Sequence, residues 1–185
     1  MRSVGAYISS MDPIRSAPEL YAHATAIERE AAERYGELAK HMSDLGNESV
    51  AALFATLGAL EAEHLRTLER RTEGVAVPEL RLDQYRWLDA GSPETAAREF
   101  INHFMTPRAA LAIALDAEKR AQAFFEHVYR TADDPALRGL AQEMMMEEKE
   151  HVAMVERLLE RTPDPNVDWA AVFEGKEATS LSSEA

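Results

Sequence analysis

The chain has 185 residues, 46 % of them hydrophobic, which is enough to bury the core of one domain and too apolar for a globally disordered chain. Its formal charge of -13, from 20 Lys+Arg against 33 Asp+Glu, argues against nucleic acid or an anionic membrane surface as the main partner. With no cysteine in the sequence, disulfides, thiolate metal sites, iron–sulfur clusters and cysteine nucleophiles are excluded.

Residues 1–17 form an N-terminal extension without the continuous apolar stretch of a signal peptide. No run reaches the ~18 apolar residues of a membrane span, so a soluble cytoplasmic protein is expected. From about Pro18 to Ser43, Ala24, Ala31, Tyr35, Leu38 and Met42 recur at helical spacing, which predicts a first amphipathic helix. After the short turn Asp44-Leu45-Gly46-Asn47, a second helix is expected over about Asn47 to Thr72, with Val50, Leu53, Phe54, Leu57, Leu65 and Leu68 as its stripe. Residues 73–105 form a long connection carrying Gly74, Pro78, Gly91 and Pro93, with one short helix expected from Pro93 to Phe104.

A third helix is expected from Pro107 to Arg130, with Leu111, Leu115, Phe125 and Val128 facing inward. The turn Thr131-Ala132-Asp133-Asp134 leads to a fourth, Pro135 to Arg161, with Leu137, Ala141, Met144, Val155 and Leu158. Alternating strand patterns are absent from the sequence. Two short turns make two antiparallel hairpins, and a helix of 25 residues is roughly 37 Å long, so the middle connection must return along the molecule. The expected fold is all-α: one four-helix bundle over residues 18–161 with a crossover between its second and third helices. Residues 162–185 turn polar and irregular and are expected to form a mobile tail.

Six polar residues interrupt the apolar stripes. Glu28 lies between Ala24 and Ala31, Glu61 and His64 between Leu57 and Leu68, Glu118 between Leu115 and Phe125, and Glu148 and His151 between Met144 and Val155. The midpoint of 28 and 61 falls in the first short turn, and that of 118 and 148 in the second. Residues equidistant from a hairpin turn share one height, so Glu28 faces Glu61 and Glu118 faces Glu148. Each Glu-x-x-His pair puts both side chains on one helix face. The pattern also repeats: a glutamate with an aromatic ring seven residues on (Glu28/Tyr35, Glu118/Phe125) precedes an E-x-x-H helix twice.

Four ionised carboxylates in an apolar core repel one another, and each costs several kcal/mol to bury. Two divalent cations cancel that charge. Carboxylate and imidazole without thiolate suit iron or manganese, with zinc also accepted. One glutamate from each of two helices and Glu-x-x-His from each of the others is the ferritin-like dimetal arrangement. The remaining polar residues read as ordinary. His23, His41, His103 and His127 are expected at the surface or an interface, and Glu30, Glu33, Glu63, Glu143, Glu147 and Glu150 on solvated faces. Met144, Met145 and Met146 divide between core and helix surface. Tyr35 is a core residue with a candidate redox or supporting role beside the metals.

The segments AIEREAAERYGELA, LFATLGALEAEHLRTLE, TPRAALAIALDAEKRAQAFFEHV and LAQEMMMEEKEHVAMVERLL resemble the four core helices of the rubrerythrin family, in the ferritin-like superfamily, over about residues 20 to 160. The resemblance implies a di-iron centre with Glu28, Glu61, His64, Glu118, Glu148 and His151 at the ligand positions. It also implies a homodimer and reduction of hydrogen peroxide or O2. The chain departs from the family pattern twice. It has no cysteine-bound rubredoxin domain, so electrons must come from an external donor protein or reductant. Where rubrerythrins carry a further glutamate one turn after the third-helix ligand, this chain has Ala121, which leaves a six-ligand set closer to that of bacterioferritin. Besides peroxide or O2 reduction, three other roles suit such a centre or its scaffold: iron oxidation for storage, oxidation of an organic substrate, and a non-catalytic metal-binding module.

Overall fold

The structure, a computed structural model, describes residues 13–88, 92–93 and 106–162. Four long helices make up most of it: α1 (Ala17–Asp44), α2 (Glu48–Arg71), α3 (Pro107–Thr131) and α4 (Pro135–Arg161). No strand occurs among the described residues. The expected all-α four-helix bundle is the observed fold. The short helix expected over Pro93 to Phe104 falls almost wholly outside the described residues, as do the first 12 residues and the tail after Thr162.

Each helix starts where a polar side chain can satisfy free backbone N–H groups. Ser16 Oγ accepts from the Glu19 amide at 3.3 Å, and Asn47 Oδ1 accepts from Val50 at 3.4 Å. Thr106 Oγ1 accepts from Ala109 at 3.1 Å, and Asp134 Oδ1 accepts from Ala136 at 2.6 Å and Leu137 at 3.2 Å. Pro18, Pro107 and Pro135 sit in first turns, where a missing N–H costs nothing. Gly46 turns the chain between α1 and α2 with φ of 76°, a left-handed conformation that a side chain disfavours.

The chain packs as two hairpins, α1 on α2 and α3 on α4, with sparser contact along the α1/α4 and α2/α3 seams. After α2 the described chain continues to Leu88. It makes one 3-10 turn at Leu82–Gln84 and lays Tyr85, Arg86 and Trp87 over the start of α1 and the later half of α3. Arg108 then ties the start of α3 to the end of α4, donating from Nη1 to the carbonyls of Leu159 at 2.7 Å and Thr162 at 3.0 Å.

The apolar interior is in two parts. One, with Leu20, Ile27, Leu68, Phe124, Phe125 and Leu137, fills the end where α1 begins. The other, with Tyr35, Met42, Phe54, Leu57, Leu111 and Val155, fills the end with the α1–α2 turn. Two expected core residues are in neither: Leu65 is only half-buried, and Leu158 is 37 % exposed. Val155 is fully buried and Leu159, four residues on, packs against the second part of the core, so the inward stripe advances by four there and leaves Leu158 to one side.

Candidate metal centre

Glu28, Glu61, Glu118 and Glu148 lie between these two apolar parts, each at most 8 % exposed. One carboxylate comes from each helix, because each stands where the stripe of its helix turns inward. His64 and His151, one turn further along α2 and α4, stack with ring centres 4.2 Å apart and planes 14° from parallel. His64 Nδ1 is 3.4 Å from Glu61 Oε2 and 3.8 Å from Glu28 Oε2. His151 Nδ1 is 3.3 Å from Glu148 Oε2 and 3.4 Å from Glu118 Oε2. Ligand-type atoms of Glu61, His64 and His151 lie within 4.8 Å of one another, and so do those of Glu118, Glu148 and His151. Glu28 falls outside both groups and meets the cluster through Glu61 and His64. All six residues singled out in the sequence are therefore in one place.

Burial and mutual repulsion set the protonation of the cluster. Burial, then the charges of Glu148 and Glu61, push the Glu28 carboxyl well above the usual carboxylate range. Burial also opposes ionisation of Glu61, but hydrogen bonds from His64 and Glu28 outweigh it and hold that carboxyl down. The pair shares one proton, kept on the Glu28 side. Burial raises Glu148 from 4.5 to about 7, against the pull of His151, and the neighbouring Glu118 charge adds to the rise. For His151 burial disfavours the cation, yet the close carboxylates of Glu118 and Glu148 push it up to about 11.

These residues fit divalent cations. Protons now hold together what cations would neutralise, and the donor set is carboxylate and imidazole. One atom is left over: His151 Nδ1 is buried and, although two carboxylate oxygens are within 3.4 Å, neither lies where a ring N–H would point at it. A buried nitrogen short of a directed partner is what a metal ligand looks like without its metal. Tyr35, 1 % exposed, donates its Oη–H to Glu118 Oε1 at 3.3 Å and so touches the centre from the second apolar part of the core. Gly58 on α2 makes room for it: a Cβ there would stand 3.3 Å from Tyr35 Cβ and 3.4 Å from the α1 backbone.

His23, expected at the surface or an interface, is fully buried. Its Nε2 accepts the Arg86 amide N–H at 3.0 Å, which leaves Nδ1 to donate to the Glu19 carbonyl at 2.8 Å. The ring stacks on Phe124 and meets Tyr85 and Trp87 edge-on. Burial lowers its pKa and keeps it neutral. This histidine bolts the crossover to α1. Its position three after Leu20 and four before Ile27 was the available signal. Of the other histidines, His41 is exposed and His127 half-buried, while His103 is outside the described residues. Glu63, Glu143, Glu147 and Glu150 are exposed, and Glu147 pairs with Arg71 at 3.0 Å.

No curated protein matches the chain. Among solved structures it is similar to an uncharacterized conserved protein from Magnetospirillum magnetotacticum, with 33 % sequence identity over 82 % of this chain and 99 % of that one, and a TM-score of 0.63. The family model described as Rubrerythrin matches residues 19–159, a span that takes in all four helices and all six clustered residues. The chain thus belongs to the rubrerythrin family.

Proposed function

We propose that the protein is a di-iron carboxylate oxidoreductase that reduces hydrogen peroxide or O2 with electrons from an external donor, in the cytoplasm and as a homodimer. The observation that carries this reading is the enclosed cluster of four carboxylates and two imidazoles, with the His151 nitrogen short of a partner. Two iron ions held there would supply the electrons and the Lewis acidity. Glu61 and Glu148 would help to hold both cations, and Glu28, Glu118, His64 and His151 would each help to hold one.

The rest of the work falls to the protein. The two apolar parts of the core exclude bulk water from the centre along the bundle axis. Tyr35 fixes the orientation of Glu118, its hydroxyl oxygen 3.3 Å from Oε1, and keeps a proton within reach of a reduced oxygen species. No cysteine cluster among these 185 residues can relay electrons, and that role is assigned to an external protein or reductant.

Metal quantification of anaerobically purified protein, followed by stopped-flow mixing with O2 and with peroxide, tests this reading. Two irons per chain and peroxide consumed in step with iron oxidation are expected. Zinc alone, or peroxide left unconsumed, would refute it, as would full activity and metal content in Glu148→Ala.

Ala121 favours a second reading, iron oxidation for storage. The position is 1 % exposed and apolar, so the centre has no further glutamate there to exchange with a histidine. Iron retained as mineral with little peroxide turnover would select it.

A further inference from the structure

The six clustered residues are unequal in one respect. The side chains of Glu61, Glu118, Glu148 and His151 are 5 to 12 % exposed and that of Glu28 is 10 %, but that of His64 is 35 % exposed. Along the bundle axis the centre is bounded by apolar side chains, Ile27 and Phe125 on one side and Tyr35, Phe54 and Leu57 on the other. Tight packing of α1 on α2 and of α3 on α4 closes two of the four flanks, while the seams between the hairpins pack less closely. Among the described residues, the flank where His64 stands is the one at which a member of the cluster reaches solvent.

The groups that could hold a cation follow the same division. Glu118, Glu148 and His151 are all deeply placed, whereas the group of Glu61, His64 and His151 has His64 on its outer side. We propose that His64 is the solvent-side door of the centre: cations and small oxidants pass it, the cation position it lines exchanges with solvent, and the position on Glu118, Glu148 and His151 is retained. This rests on the dimetal reading above. The physical ground is general. Exchange of a ligand or a cation needs an incoming water or chelator to reach the coordination sphere, and a side chain one-third in solvent offers that approach while one enclosed by packed helices must wait for the bundle to open. The stacked rings add to the difference, since His151 lies beneath His64 and is screened by it.

The full-length protein is loaded with Co(II) and mixed with excess chelator in a stopped-flow instrument while the visible absorption of the ion is followed. Wild type is expected to release Co(II) in two phases of similar amplitude with rates at least about tenfold apart. His64→Ala should lose the fast phase and retain the slow one, with about half the bound Co(II). Added imidazole should restore the missing ion to His64→Ala, because the vacated space opens to solvent, and should fail to do so in His151→Ala. Single-phase release by the wild type, or equal rescue of both variants, would overturn the proposal. Should His151→Ala not fold, the wild-type phases and the His64→Ala rescue still decide it. If the wild type binds no Co(II) at all, the dimetal reading itself falls; if it binds two ions and releases them together, only the door does.

Discussion

Glu148→Gln should stabilise the metal-free protein while abolishing its metal binding. In the folded, metal-free chain the Glu148 carboxyl is raised from 4.5 to about 7 by burial, and this is net of the attraction of His151. A carboxyl held up in the folded state contributes stability that is complete below 4.5 and is lost as pH rises through about 7. At pH 8 both states are ionised, and the folded state carries the cost of the whole rise, on the order of 3 kcal/mol. Glutamine has nearly the same shape and no charge, so the substitution removes that cost. For a chain of this size the gain is about 6–12 °C in melting temperature. At pH 5 the folded wild type keeps its proton, and the advantage shrinks to about 1 kcal/mol or less. Urea unfolding of chelator-treated wild type and variant at both pH values measures it. A variant less stable than wild type at pH 8, or an equal gain at the two pH values, would refute the reasoning. With metal present the order reverses, because the wild type alone gains the binding energy.

Metal loading should release protons, since Glu28 and Glu148 sit high and His151 holds its proton up to about 11. Affinity for Mn(II) or Zn(II) should therefore rise by at least about 100-fold from pH 6 to pH 8, and calorimetry in buffers of different ionisation enthalpy should show the released protons. His23→Ala leaves the Arg86 amide without its acceptor and a gap among Tyr85, Trp87 and Phe124, so stability should fall by about 3 kcal/mol in urea titration. Gly58→Val forces a branched side chain against Tyr35 and the α1 backbone; a loss of about 2 kcal/mol and a change in the near-ultraviolet dichroism of Tyr35 are expected. A Gly58→Val protein as stable as wild type would mean that α1 and α2 separate there at no cost.

The four helices and the height of the six polar residues could be read from spacing alone. Helical periodicity and hairpin symmetry are local rules, and the Glu-x-x-His pairs sit on them in both hairpins. Short turns at Gly46 and Asp134 set which helices run side by side, so Glu28 could be placed against Glu61 without knowing anything further away. The same rules could not place His23. A histidine beside a core stripe is buried only if something distant accepts or donates to it, and its partner, the Arg86 amide, lies 63 residues away on the crossover. Leu158 missed the core for a related reason, because near a helix end small differences in where neighbours stop decide which side chain is covered.

The sequence by itself determined the fold class and which six side chains would meet, because both follow from residues spaced along single helices and mirrored about short turns. Only the tertiary structure decided how the six differ: His64 reaching solvent while His151 lies beneath it, Glu28 joining through Glu61 and His64, and Tyr35 bonded to Glu118 across the bundle. Those differences depend on how closely one hairpin approaches the other and on where the crossover lies. No local pattern carries that information, because burial is a property of the neighbours that surround a side chain and not of the helix that bears it.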